Sequence, residues 1–213
     1  MKLQYAADTE TVKMSTDIFD QVRDFIDIFE VDGIFYFDGG MDTIQMIRER
    51  YPEKEINFDN KYTGQPVADM RDMEYAFSLG ADYVTTVANL TENEQKRFID
   101  RAHELNRKVA VEFSFMNDMR ERLKMMERLG ADVVIMGANW ALGSGKKALA
   151  TIEFARTLTS KPQIAIQGGV GLKNFEAICE MKPDIIIAGR GIYTEKNPYE
   201  AVKQMKALMD KYA

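Results

Sequence analysis

Short apolar segments alternate with longer segments of mixed polarity along the whole chain. The short segments are rich in β-branched residues, and they predict eight strands near residues 2–7, 26–31, 55–60, 82–87, 108–113, 132–136, 162–167 and 184–188. The longer segments carry apolar residues three and four positions apart, as in Leu123, Met126 and Leu129, which predicts helices. Eight strand–helix units in series predict a parallel sheet, and closing that sheet into a (β/α)8 barrel pairs both of its edges.

An internal repeat supports the count of eight units. The segment Leu79-Gly80-Ala81-Asp82-Tyr83-Val84 recurs 50 residues later as Leu129-Gly130-Ala131-Asp132-Val133-Val134. Aspartates at positions 27, 82, 132 and 184 each precede an apolar strand, so we expect them to mark the even-numbered strands. The alternative is an open doubly wound sheet, but the period is unbroken and no glycine-rich dinucleotide turn follows the first strand.

Composition narrows the class of protein. A chain of 213 residues suits a single domain over residues 1–213, and its net charge of −6 without a basic block predicts no nucleic-acid partner. No apolar segment is long enough to span a bilayer, no signal-peptide pattern is present, and Cys179 is the only cysteine. We therefore expect a cytoplasmic protein without a membrane partner, in which any anionic ligand needs a local positive site.

Glycines follow the last two predicted strands. Strand seven runs into Gly168 and Gly169, and strand eight runs into Gly189 and Arg190. Glycine lets backbone N–H groups approach an anion, and a guanidinium group suits bidentate contact with phosphate. Each glycine segment alone could be a tight turn. Two of them on consecutive strands, at the usual phosphate position of such barrels, favour a small phosphorylated ligand.

Charged side chains stand at the ends of four other predicted strands: Asp8, Glu30, Asp32, Asp59, Lys61 and Glu112. Asp59 and Lys61 are two residues apart, so they share one face of the strand and point into the barrel mouth. Glu30 with Asp59 could hold a hard divalent cation such as Mg²⁺. The alternative is a solvated cluster of ion pairs at the rim of the barrel.

Four segments carry a resemblance to a known family: Ile26-Asp27-Ile28-Phe29-Glu30-Val31, Asp59-Asn60-Lys61, Leu79-Gly80-Ala81-Asp82-Tyr83-Val84-Thr85, and Ile187-Ala188-Gly189-Arg190-Gly191-Ile192 through Asn197-Pro198. Together they resemble the orotidine monophosphate decarboxylase superfamily. The likeness is to its branch of 3-hexulose-6-phosphate synthases and 3-keto-L-gulonate-6-phosphate decarboxylases. The resemblance covers essentially the whole chain, and the last segment is its most specific part.

The resemblance implies a homodimeric, Mg²⁺-dependent lyase of the aldolase or decarboxylase type. Such an enzyme acts on a sugar phosphate through a metal-stabilised enediolate. At the matched positions, Glu30 and Asp59 would be metal ligands, and Lys61 would be the charged group beside the enediolate. The remaining matched residues divide into those in contact with the sugar, Asp8 and Glu112, and those that hold the phosphate, Gly168, Gly169, Gly189 and Arg190.

Two positions depart from the family pattern. The family has Asp-x-Lys-x-x-Asp at strand three, whereas this chain ends the pattern with Gly64 and lacks the carboxylate that reaches a partner's site. Gly137 stands at the end of strand six, where the branch usually has a proton-handling histidine. The first hypothesis is a lyase in which Lys61 delivers the proton, assisted by Glu112. The alternatives are a sugar-phosphate binder without catalysis and a phosphosugar isomerase.

Overall fold

The strands close into a parallel barrel in chain order, which confirms the (β/α)8 prediction. The computed structural model describes residues 1–9, 11–33, 38–59, 66–113, 119–137 and 145–213, without the side chains of residues 66–68 and 145–151. The strands are β1 (Lys2–Ala6), β2 (Ile28–Val31), β3 (Glu55–Asp59), β4 (Tyr83–Val87), β5 (Lys108–Glu112), β6 (Val133–Gly137), β7 (Gln163–Gln167) and β8 (Ile185–Ala188).

Helices connect the strands and pack around the barrel. In the described part of the chain they are α1 (Val12–Val22), α2 (Asp42–Arg50), α3 (Pro66–Ser78), α4 (Glu92–Glu104), α5 (Met119–Leu129), α6 (Gly145–Leu158), α7 (Leu172–Glu180), α8 (Arg190–Tyr193) and α9 (Pro198–Lys211). A short 3-10 helix, Arg23–Phe25, follows α1. None of the helices among these residues is both long and apolar enough to cross a membrane.

Four aspartates hold the amino-terminal end of the barrel in one repeated arrangement, which we call the aspartate clamps. Each clamp aspartate precedes an even-numbered strand, as the repeat predicted: Asp27, Asp82, Asp132 and Asp184. Each carboxylate accepts a backbone N–H from the preceding odd strand at 2.8–2.9 Å, from Leu3, Ile56, Val109 and Ile164 respectively. The aspartate's own N–H donates to the carbonyl of that same residue at 2.8–3.2 Å. Every second strand–helix unit is therefore tied to the strand before it.

The start of β2 differs from the prediction by two residues. The sequence predicted a strand from residue 26, and β2 begins at Ile28. Ile26 donates its N–H to the carbonyl of Arg23 and so ends the 3-10 helix, while Asp27 is used by its clamp. Both residues are apolar or strand-flanking in pattern, but their hydrogen bonds belong to the connection.

The barrel interior is filled by layers of four side chains from alternate strands, as is usual for this fold. Strand register gives an apolar layer of Ile28, Tyr83, Val133 and Ile185, and above it a layer of Gln4, Asn57, Ala110 and Ala165. The next two layers towards the carboxyl end are Glu30, Thr85, Ile135 and Ile187, then Ala6, Asp59, Glu112 and Gln167. Polarity in the interior thus increases towards the carboxyl ends of the strands.

Cys179 lies in the core between α7 and the barrel, as its apolar surroundings predicted. It is fully buried, and burial is the main cause that raises the pKa of its thiol to about 11. A protonated, inaccessible thiol is a packing group rather than a nucleophile.

Candidate active site

Three carboxylates meet at the carboxyl-terminal end of β2 and β3, and we call them the carboxylate cluster. Glu30 lies in β2, Asp32 directly follows it, and Asp59 ends β3; one oxygen from each lies within 4.8 Å of the others. Glu30 and Asp59 are only 3% and 4% exposed. The period of two along β2 gives Glu30 and Asp32 the same face, and parallel pairing with β3 brings Asp59 beside them.

The donor set of the carboxylate cluster fits a hard divalent cation. Mg²⁺ is bound through one or two carboxylates together with water and substrate oxygens, and all three side chains offer oxygen. Carboxylates gathered in a buried site repel one another, and a cation in their midst offsets that repulsion. Asp32 enlarges the pair that the sequence predicted as ligands, Glu30 and Asp59.

Two buried amides lie in the layer beneath the carboxylate cluster. The Nε2 of Gln4 donates to Oε2 of Glu30, and both side chains are buried. Asn57 instead exchanges hydrogen bonds with the hydroxyl of Thr85 on the neighbouring strand, at 2.9 and 3.1 Å. Neither amide was singled out from the sequence, although the period of two along β1 and β3 would have placed both inside the barrel.

The predicted catalytic residues are distributed around the same mouth. Glu112 ends β5, is 7% exposed, and shares an interior layer with Asp59, with β4 between their strands. Gly137 ends β6 on the side of the barrel opposite β2, and it is exposed. Lys61 and Gly64 lie outside the described residues, so the position of Lys61 beside Asp59 stays a prediction.

The loop after β7 has a backbone shape that depends on glycine. Gly168 and Gly169 have φ values of +95° and +71°, which side chains rarely tolerate. Asn174, in the first turn of α7, holds this loop from both sides. Its Nδ2 donates to the carbonyl of Gly169 at 3.0 Å, and its Oδ1 accepts the N–H of Gly171 at 3.0 Å.

The loop after β8 packs directly against the loop after β7. A Cβ atom on Gly191 would lie 2.1 Å from the carbonyl oxygen of Val170 and 2.7 Å from the Cα of Gly171, so no side chain fits there. A Cβ on Gly189 would lie 3.1 Å from the carbonyl oxygen of Ala6 and 3.3 Å from Oδ2 of Asp8. The two glycine loops therefore adjoin each other and the end of β1.

Tyr193 connects the glycine loops to the acidic side of the mouth electrostatically. Burial is the largest cause that raises the pKa of its phenol; the charge of Asp8 and then that of Asp32 act in the same direction, and Arg190 acts against them. Arg190 itself is exposed at the start of α8. Residues from β1, β2 and β8 thus share one electrostatic environment at the carboxyl end.

Fold and site together define a (β/α)8 barrel protein with a carboxylate cluster on one side of its mouth and paired glycine loops beside it. The model of the Orotidine 5'-phosphate decarboxylase / HUMPS family matches residues 1–205. The chain therefore belongs to this family, which confirms the resemblance found in the sequence.

Relatives with known names cover almost the whole chain. The chain is 24% identical over 213 residues to a 3-hexulose-6-phosphate synthase of Staphylococcus aureus (strain bovine RF122 / ET3-1), with 99% of each covered. The crystal structure of 3-hexulose-6-phosphate synthase from Salmonella typhimurium superposes with a TM-score of 0.90 at 26% identity over 100% of both chains. KGPDC from Streptococcus mutans, in complex with a sugar phosphate, shares the fold with a TM-score of 0.86 at 20% identity, over 99% of this chain and 98% of that one.

Proposed function

We propose that the chain is a carbon–carbon lyase, of the aldolase or decarboxylase type, that acts on a sugar phosphate with the help of Mg²⁺. The observation that carries the proposal is the carboxylate cluster in the same barrel mouth as the paired glycine loops. The relatives support the substrate class, because one is named for hexulose 6-phosphate and the Streptococcus mutans structure contains a sugar phosphate.

Glu30, Asp32 and Asp59 would hold the cation. When bound, Mg²⁺ would supply positive charge next to the substrate oxygens on which negative charge develops during carbon–carbon cleavage. The short reach between the three oxygens, within 4.8 Å, supports a shared ligand. Asp32 comes from the same strand end as Glu30, so the chain provides a third carboxylate of its own although Gly64 replaces the family's last one.

The phosphate would sit where the loops after β7 and β8 meet. Backbone N–H groups of Gly168 and Gly169 can approach an anion without side chains in between. Gly189 and Arg190 begin α8, so their backbone N–H groups and the exposed guanidinium face the same region. This is the phosphate position of many (β/α)8 barrels.

Proton transfer would fall to Lys61, assisted by Glu112. Gly137 provides no acid or base at the end of β6, and Glu112 is the buried carboxylate nearest to that side among the predicted set. Asp8, which adjoins Gly189, would contact the sugar between its phosphate and its reacting carbons. The enzyme would be a cytoplasmic homodimer, as the resemblance and the cysteine usage imply.

Turnover with two defined substrates tests the proposal. The purified protein is incubated with 3-hexulose 6-phosphate or 3-keto-L-gulonate 6-phosphate, with Mg²⁺ or with EDTA, and carbon–carbon cleavage is followed by ¹³C NMR. We expect cleavage of at least one compound with Mg²⁺ and none with EDTA.

The exposed Gly137 favours one second candidate, a sugar-phosphate binder without catalysis. Binding of D-ribose 5-phosphate in calorimetry, without turnover of either compound or of other five- and six-carbon ketose phosphates, would contradict the lyase and support this binder. Conversion of a ketose phosphate to its isomer without cleavage would support the phosphosugar isomerase instead.

A further inference from the structure

Gln4 is a buried amide directly below the carboxylate cluster, and neither the sequence patterns nor the family resemblance assigned it a role. It lies in the middle of β1, paired in register with Ile28 of β2 and Ile187 of β8, and is 3% exposed. Its layer of the barrel interior is completed by Asn57 and two alanines. Packing alone would be satisfied by an apolar side chain here, because burying an amide is costly unless it is hydrogen-bonded.

The hydrogen bond made by Gln4 goes to a candidate metal ligand. Its Nε2 donates to Oε2 of Glu30, which is also 3% exposed. A carboxylate only accepts hydrogen bonds, so the amide nitrogen must face it. The bond engages one carboxylate oxygen from below and so sets the plane in which the carboxylate of Glu30 faces the rest of the cluster.

A neutral donor is well suited to this position. A lysine or arginine in place of Gln4 would also bond to Glu30, but its positive charge would repel a divalent cation bound above it. An amide orients the carboxylate and adds no net charge. Residues that hydrogen-bond a ligating side chain in this way typically affect metal affinity without touching the metal.

We propose that Gln4 is a positioning residue that orients Glu30 for binding of a divalent cation. The inference rests on the proposed function of the carboxylate cluster and adds to it a residue outside that cluster. Asn57 is its internal comparison. It belongs to the same layer, is equally buried at 3%, and exchanges its hydrogen bonds with Thr85 rather than with a candidate ligand.

The test compares Gln4→Met with Asn57→Leu in the full chain. Each substitution replaces an amide by an apolar side chain of similar shape, so both remove buried hydrogen bonds, but only the first touches Glu30. Mn²⁺ binding is measured by electron paramagnetic resonance, and thermal unfolding is recorded in metal-free buffer. We expect Gln4→Met to weaken Mn²⁺ binding by roughly 10–100-fold. Asn57→Leu should lower the melting temperature and leave Mn²⁺ affinity unchanged.

The outcomes separate the inference from the function on which it rests. If the wild-type protein binds Mn²⁺ and Gln4→Met binds it equally well, Gln4 serves packing only and the inference is overturned. If the wild-type protein does not bind Mn²⁺, the cation site itself is refuted. Should Gln4→Met fail to fold, Gln4→Asn keeps an amide in the layer but draws its donor back by one methylene. We expect that variant to lose about tenfold in Mn²⁺ affinity, and an unchanged affinity would again overturn the inference.

Discussion

At the amino-terminal end of the barrel, each aspartate clamp joins a carboxylate to a backbone N–H of the preceding strand. At the carboxyl-terminal end, the three members of the carboxylate cluster face one another instead. The contrast is sharpest at Asp82, whose carboxylate also pairs with Arg48 and with Arg107. The same type of side chain thus stabilises the fold at one end. At the other end, it is gathered in a way that only a ligand makes favourable.

The glycines of the two ends differ in a similar way. Gly80 and Gly130 end helices α3 and α5 with φ values of +108° and +80°, as helix-terminating glycines do. Gly191 at the other end is required because the loops after β7 and β8 touch there. One set of glycines serves chain reversal, and the other allows two loops to form a common surface.

The largest expected effect is on turnover. Lys61→Ala should lower kcat by about 10²–10⁴-fold, because proton transfer loses its side chain. Affinity for D-ribose 5-phosphate should remain, since the phosphate loops are unaffected. Steady-state kinetics and calorimetry measure the two quantities. Full activity in this variant would refute the role of Lys61.

The same substitution at both ends breaks the comparison most cleanly. Asp59→Asn should weaken Mn²⁺ binding by more than the roughly 10–100-fold typical of residues that only orient a ligand, with little loss of stability. Asp82→Asn should leave Mn²⁺ binding intact and lower the free energy of unfolding by about 1–2 kcal/mol, because two arginines lose a charged partner. Urea denaturation and metal titration of both variants measure this. Equal effects of the two substitutions on both quantities would remove the distinction between the ends.

A pair of glycine substitutions sharpens the second contrast. Gly191→Ala places a Cβ 2.1 Å from the carbonyl oxygen of Val170. The loops must then separate, which we expect to cost about 1–3 kcal/mol and to weaken D-ribose 5-phosphate binding. Gly130→Ala has no atom within 4 Å of its new Cβ and a φ of +80°, so it should cost about 1–2 kcal/mol without affecting ligand binding. Unchanged ligand affinity in Gly191→Ala would argue against a phosphate site at the loops.

The smallest expected effect is that of Arg190. The side chain is exposed, so Arg190→Ala should leave the melting temperature unchanged. It should weaken D-ribose 5-phosphate binding by about tenfold, the lower end of what hydrogen bonds to charged groups contribute. Arg190→Lys should fall between the two, because lysine keeps the charge but not the bidentate geometry. Calorimetry at two salt concentrations measures all three proteins, and equal affinities would exclude a phosphate contact.

Much of the fold could be predicted from the sequence because its signals are local. Apolar segments of strand length, helical spacing between them, and aspartates such as Asp82 and Asp132 at fixed positions in a repeat indicate eight units without any long-range contact. The start of β2 was predicted two residues early, because Ile26 resembles a strand residue and only its hydrogen bond to Arg23 places it in the connection.

The site was less accessible from the sequence. Asp32 was noted at a strand end but not joined to Glu30 and Asp59, although two-residue spacing from Glu30 was the available signal. The bond from Gln4 to Glu30 crosses between strands, so it depends on register that the sequence does not display. The contact between Gly191 and Val170 likewise exists only once two separate loops are placed side by side.

A crystal structure of the protein with Mg²⁺ and D-ribose 5-phosphate tests the central claim most directly. The account predicts a cation in contact with Glu30 and Asp59, and a phosphate seated on the loop from Gly168 to Gly171 and on Gly189 and Arg190. A phosphate bound away from these loops, or a sugar that meets the carboxylate cluster with no cation between them at saturating Mg²⁺, would contradict it.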